Sequence, residues 1–387
     1  MADIYFVIFN AYGLGGTVRT TVETANALAD AGASVEIISL FKTAAKPAYR
    51  LSDGVTVRPL TVSRLTNRTG QAWASLGRLK RFLARVPSVL VPRSDAAYYH
   101  FSLLSDLKLI HWYTRIRSGC VVGTRLGLNM ALARIPHHRV RLCLQEHTHL
   151  GSHPEPIRNR IRQAYRKATS IVTLTESDAE AYRALFGDGG PDIAVVPNSV
   201  PGLDYRQSDL TNRKILCVAR LAPEKGVDLL ISAFQAVVAR HPDWTLEIVG
   251  TGECHAELEA QIYRLGLYNS VFLRGSASDV VEHYAQATIY VQPSRYEGFG
   301  IALLEAMSSG VPVVAFDCPV GPREIVTDGV DGVLVPPENV AALSEAMLRL
   351  VEDQAARARL AAAGRGSVDR FSPEANFARW CAVLGWS

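Results

Sequence analysis

Short apolar runs, each followed by a longer stretch of helical periodicity, recur along the whole chain and restrict it to parallel strands joined by crossover helices. One series of runs falls at 4–9, 35–40, 97–100, 121–124, 140–145, 170–175 and 194–196. A second falls at 214–219, 245–250, 271–274, 289–292, 313–316 and 332–335. Between them lies 201–212, polar and interrupted by Pro and Gly. A chain of 387 residues exceeds what one core usually supports. The expected architecture is therefore α/β, with two Rossmann-like doubly wound parallel-sheet domains at 1–200 and 201–370 and a capped helical pattern at 371–387 carrying Trp380 and Trp386.

Composition excludes several classes. With 48% hydrophobic and 20% charged residues the chain is an ordinary globular one. The run 4–9 lacks a basic segment before it and leads into Gly13, so it reads as a first strand and not as a leader. No run approaches the eighteen or so apolar residues of a membrane span. Six cysteines are scattered without a C-x-x-C pair, which fits reduced thiols in a cytoplasmic protein and not a zinc site.

Charge separates the two halves. Residues 1–200 hold 25 Lys and Arg against 14 Asp and Glu, a net of +11, whereas 201–387 hold 16 against 23, a net of −7. A basic first domain attracts an anionic partner or an anionic membrane face. Nucleic acid would compete for that charge, yet no nucleic-acid motif accompanies it. The densest basic stretch holds Arg64, Arg68, Arg78, Lys80, Arg81, Arg85 and Arg93 without an acidic residue. Trp73, Leu76, Leu79, Leu83 and Val86 recur there at helical spacing, with Arg78, Arg81 and Arg85 largely opposite. Such a helix either lies in a membrane interface or packs its apolar stripe on its own domain.

Chemistry is concentrated in the second half. Glu297-Gly298-Phe299-Gly300-Ile301 leads from an apolar run into a helical pattern that carries Glu305 two turns on. Gly298 and Gly300 allow close backbone approach and leave N–H groups at a helix start, a setting that attracts phosphate. A carboxylate beside that anion is better suited to sugar hydroxyls, although the spacing alone also fits two solvated glutamates. Arg220 and Lys225 share a loop after another run, where open α/β sheets bind ligands, and a diphosphate needs such a pair. Two cations in a loop can equally be solvated. In the first half, Gly13, Gly15 and Gly16 fall short of a dinucleotide fingerprint and also fit a plain turn. Glu146-His147-Thr148-His149 follows the run 140–145; a metal there would lack a third ligand, and a histidine bound to local backbone is the ordinary alternative.

Taken in order, Val195-Val196-Pro197-Asn198, Arg220 with Lys225, Gly250-Thr251-Gly252, Glu297 to Glu305 and Asp328 to Pro337 resemble the retaining glycosyltransferases of family 4, which have the GT-B fold. The resemblance implies two domains facing a deep cleft, with the last helix crossing back to the first. It also implies transfer of a hexosyl or N-acetylhexosaminyl unit from a nucleoside diphosphate, uridine for preference, with retention and with no metal or other cofactor. Arg220 and Lys225 would balance the departing diphosphate, Glu297 would hold the donor sugar and Glu305 the ribose. The backbone of Gly298, Phe299, Gly300 and Ile301 would meet sugar and phosphate. Gly15, Gly16, Asn198, Gly250 and Arg274 complete the donor side, and His147 is placed at the reacting carbon with His149 as fallback. Asp317 to Ile325 is similar to enzymes that glycosylate teichoic acids, capsules and lipopolysaccharides. By that resemblance Trp73, Arg78, Lys80, Arg81 and Arg85 face the acceptor or the inner face of the membrane. Four other readings are weighed: a small natural-product or peptide acceptor, a GT-B epimerase, a glycogen-type phosphorylase, whose cofactor lysine motif is not found here, and a noncatalytic nucleotide-sugar-binding partner. Oligomeric state cannot be read from the sequence.

Overall fold

A computed structural model describes residues 4–13, 15–61, 77–200, 205–277 and 279–386. The chain divides into two compact units, Met1–Pro197 with Pro373–Ser387, and Asn198–Ser372. Each is built on one parallel sheet.

The first unit contains β1 (Ile4–Ile8), β2 (Val35–Phe41), β3 (Val55–Thr61), β4 (Cys120–Gly123), β5 (Arg141–Gln145), β6 (Ser170–Thr173) and β7 (Asp192–Val195). They lie in the order β3-β2-β1-β4-β5-β6-β7, every neighbouring pair parallel. Side chains alternate between the two faces as the two-residue period requires. Val7 and Val121 join one core, whereas Phe6, Ile8 and Val122 join the other. The second core is closed by the last helix, Pro373–Leu384, whose Trp380 meets the Phe6 ring edge-on at 5.9 Å. Asn376 Nδ2 donates to Pro197 O at 2.8 Å and ties that helix to the end of the first chain segment.

The second unit holds β8 (Lys214–Val218), β9 (Thr245–Val249), β10 (Val271–Leu273), β11 (Ile289–Gln292), β12 (Val313–Phe316) and β13 (Val333–Val335), ordered β10-β9-β8-β11-β12-β13. Strands β11 and β12 are buried along their whole length, as a sheet covered on both faces demands. In each unit the strand order reverses once, between β1 and β4 and between β8 and β11. The carboxyl ends of those strand pairs open the crevices in which such sheets bind ligands.

One local expectation is corrected, one strand escaped the sequence reading, and one helix is described in part. Residues 97–100 form no strand: Tyr98–His100 is a single 3-10 turn whose Tyr98 is buried in the core and whose His100 meets the Phe9 ring, so its apolarity reflects core contact and not a ladder. Strand β3 was not anticipated, because an edge strand with Arg58 and Pro59 in it carries little apolar signal. The basic amphipathic pattern yields a described helix of eight residues, Arg78–Arg85. Trp73, Arg64, Arg68 and Leu76 lie outside the described residues.

Candidate functional site

The loops that leave β8, β9 and β11 stack on one another at backbone contact. A Cβ on Gly250 would sit 1.8 Å from Ala219 O, and one on Gly226 would sit 2.0 Å from Pro293 O. Only glycine permits this, and the stacking brings Lys225 beside Glu297. Lys225 Nζ donates to Glu297 Oε1 at 2.7 Å and Ser294 Oγ donates to the same oxygen at 2.6 Å. Among the described residues Glu297 Oε2 accepts no hydrogen bond. The carboxylate is thus clamped through one oxygen and leaves the other for a hydroxyl.

Beside it, Gly300 (φ 110°) starts the helix Ile301–Ser308, which has no side-chain cap, so its first N–H groups are left for a ligand or water. Phe299 is buried against Phe371 at 5.6 Å, so a ligand can use only its backbone. Glu305 is buried one turn further in, where Oε2 accepts from Tyr284 OH at 2.9 Å. Arg220 is exposed and pairs with Glu224. The guanidinium of Arg274 reaches Glu247 Oε1 at 2.7 Å and stands over the Phe272 ring. Asn198 is buried at the start of this unit. Gln292 escaped the sequence reading. It ends β11 and is buried, and among the described residues its Nε2 has no partner, 3.1 Å from where a Cβ on Gly300 would stand.

At the other reversal point, between β1 and β4, the first unit holds a cavity of about 540 Å³. Gly15, Gly16, Arg125, Glu146 and His147 line it. Glu146 Oε1 accepts from Asn129 Nδ2 at 2.8 Å and from Tyr165 OH. Burial outweighs those bonds and pushes the carboxyl up to about 7. Burial pushes His147 the other way, down to about 4, so its ring is neutral at pH 7, and among the described residues its Nε2 has no partner. His149, by contrast, is held by Asp178 at 2.9 Å. Asp95 and Arg125 were missed, and Glu146 was quoted only as part of the segment that holds His147. The signal was their position, since Arg125 and Glu146 follow β4 and β5 as Arg220 follows β8.

On the helix Arg78–Arg85, Leu83 packs against the buried pair Ala84 and Leu104, while Leu79 (71% exposed) and Phe82 (63%) face solvent. Arg78, Lys80 and Arg85 are exposed beside them and Arg81 is half-buried. No helix among the described residues is long and apolar enough to cross a membrane, and no cluster of three potential metal ligands occurs among them.

Residues 15–199 match the family described as Glycosyl transferase 4-like domain, and residues 205–367 match Glycosyl transferases group 1. An exopolysaccharide phosphotransferase of Streptomyces coelicolor is 34% identical over 353 residues, 88% of this chain and 36% of its own length. A poly(glycerol-phosphate) alpha-glucosyltransferase of Bacillus subtilis is 26% identical over 242 residues, 61% of this chain and 36% of its own. This chain therefore spans about a third of each of those relatives. Crystalline S. aureus TarM, a G117R variant in complex with fondaparinux, alpha-GlcNAc-glycerol and UDP, superposes with a TM-score of 0.76 at 16% identity, covering 99% of this chain and all of that one. That likeness concerns the fold. With both halves matched and two parallel-sheet units in place, the chain belongs to the family 4-like, group 1 glycosyltransferases of GT-B fold.

Proposed function

We propose that the protein is a retaining glycosyltransferase that moves a hexosyl or N-acetylhexosaminyl unit from a UDP-sugar to a hydroxyl of an anionic, envelope-related acceptor such as a teichoic acid, a polysaccharide or a lipid-linked chain. Glu297 carries this reading: one carboxylate oxygen is fixed by Lys225 and Ser294, the other is open, and an uncapped helix start lies alongside. The open oxygen receives a donor-sugar hydroxyl. Lys225, Arg220 and the first N–H groups of the helix Ile301–Ser308 balance the negative charge that grows on the diphosphate as the bond from the anomeric carbon to its oxygen breaks. The acceptor oxygen bonds to the same carbon on the same face, and its proton passes to the departing phosphate oxygen. Protein cations then perform the work a divalent ion would, and no metal or other cofactor enters the proposal. Neutral His147 offers its unpartnered ring nitrogen to a hydroxyl of the reacting sugars. Glu305 serves the ribose, with its bond to Tyr284 setting the rotamer.

For the acceptor, support comes from the names of relatives that act on poly(glycerol-phosphate) and poly(ribitol-phosphate), and from the +11 charge of residues 1–200. Exposed Leu79 and Phe82 among exposed cations support a cytoplasmic protein resting on an anionic membrane face. The test is thermal stabilisation by UDP, GDP, ADP, CDP and dTDP, then by UDP-sugars. Nucleotide at 100 times its dissociation constant adds about 2.7 kcal/mol. A UDP-selective rise that increases with one sugar supports the proposal, and no rise with any nucleotide removes it.

A further inference from the structure

The first-unit cavity contains a cation fixed in place before any ligand arrives. Arg125 grips Asp95 through Nη2 to Oδ1 at 2.8 Å and through Nε to Oδ2 at 3.1 Å. Asp95 is buried and also accepts from the backbone N–H of Ala97 at 2.7 Å and of Gly127 at 3.0 Å. A Cβ on Gly127 would come within 2.5 Å of Asp95 Oδ2, so this seat requires glycine. The guanidinium also stands 5.3 Å from the centre of the Phe9 ring. Both oxygens of Asp95 are saturated by this arrangement, yet Arg125 Nη1 donates to nothing among the described residues, and the side chain is one-third exposed.

The surroundings of Arg125 favour a negative guest. Two helices begin at the cavity wall, Gly16–Asp30 after Gly15 and Leu126–Arg134 after Arg125, and neither has a side-chain cap or an acidic residue in its first turn. The carboxyl of Glu146 is tied to Tyr165 and Asn129, and His147 presents a buried ring nitrogen without a partner among the described residues. His100 is pushed down by burial and further by the cation of Arg125.

We propose that Arg125, seated on Asp95, binds an oxyanion of the acceptor in this cavity, the phosphate of a polyol-phosphate chain or the carboxylate of a uronic-acid chain. This rests on the glycosyltransferase reading and assigns acceptor recognition to the first unit. Arg125 is the binding residue and Asp95 a positioning residue.

The experiment measures binding of fluorescent poly(glycerol phosphate), polygalacturonate and neutral dextran to the full chain and to Arg125→Gln, Arg125→Lys and Asp95→Asn. The wild type should bind one anionic polymer and ignore dextran; which polymer it binds tells phosphate from carboxylate. Arg125→Gln should weaken that binding by about tenfold or more, and Arg125→Lys, which keeps charge but loses the fork, by less. Asp95→Asn should fall between wild type and Arg125→Gln. UDP-induced stabilisation should be the same in all four proteins. Unchanged affinity in Arg125→Gln, or dextran bound as well as the anionic chains, overturns the proposal. Should Arg125→Gln fail to fold, unchanged affinity in Arg125→Lys overturns it equally. Loss of the UDP response in the wild type, with Arg125-dependent polymer binding intact, would instead count against the donor reading alone.

Discussion

Replacing Glu146 by Gln should stabilise the first unit at neutral pH, and replacing His147 by Gln should stabilise it in acid. Burial raises Glu146 from its ordinary 4.5 to about 7. The folded chain therefore holds a proton there that the unfolded chain has released, and stability from this group falls as pH climbs from about 4.5 to about 7. Burial lowers His147 from 6.5 to about 4, so the stability of its neutral form is complete above 6.5 and is lost as pH falls through 4. Each displacement corresponds to about 3 kcal/mol, taken to order of magnitude. In the wild type the two slopes oppose one another between about pH 4.5 and 6.5 and largely cancel. Gln at 146 can still accept from Tyr165 and Asn129 through its carbonyl oxygen. For a unit of roughly 210 residues, about 3 kcal/mol moves the melting midpoint by about 6–12 °C. The assay is differential scanning fluorimetry of wild type and both variants from pH 4 to 8. The Glu146→Gln midpoint minus wild type should rise with pH, and the His147→Gln difference should rise as pH drops. Differences that stay flat across this range would refute burial as the cause of both shifts.

Other variants probe single contacts. Lys225→Met leaves the nearly buried Glu297 with Ser294 alone and should cost the second unit about 2 kcal/mol by denaturant titration; adding Glu297→Gln should recover about 1 kcal/mol. Lys225→Met should also reduce the response to UDP, and an undiminished response would free Lys225 of any donor role. Gly250→Ala, with φ 148° and a Cβ driven onto Ala219 O, should cost about 3 kcal/mol or more or abolish folding of that unit. Trp380→Ala should destabilise the first unit by about 3–4 kcal/mol through loss of its contact with Phe6, and a midpoint within 2 °C of wild type, about the least that 1 kcal/mol produces, would show that the last helix is not part of that core.

Much of the fold could be read in advance, because strands buried on both faces, such as β11 and β12, are continuous apolar runs. β3 was illegible for the converse reason: half of it faces solvent and Pro59 sits within it. The pairing of Lys225 with Glu297 depends on glycines whose role is loop-on-loop contact across 72 residues, a distance at which periodicity carries no information. Arg274 pairs with the buried Glu247 on the neighbouring strand, and no pattern in 271–274 reports that. Asp95 and Arg125 went unseen because 30 residues separate them and each looks like an ordinary surface charge in sequence.

The most direct test of the account is the anomeric configuration of the product formed from UDP-glucose or UDP-N-acetylglucosamine with poly(glycerol phosphate), read by proton NMR alongside UDP release. Acceptor-dependent UDP release with an α-linked product is the predicted result. A β-linked product would contradict retention, and UDP release that ignores every acceptor would contradict transfer itself.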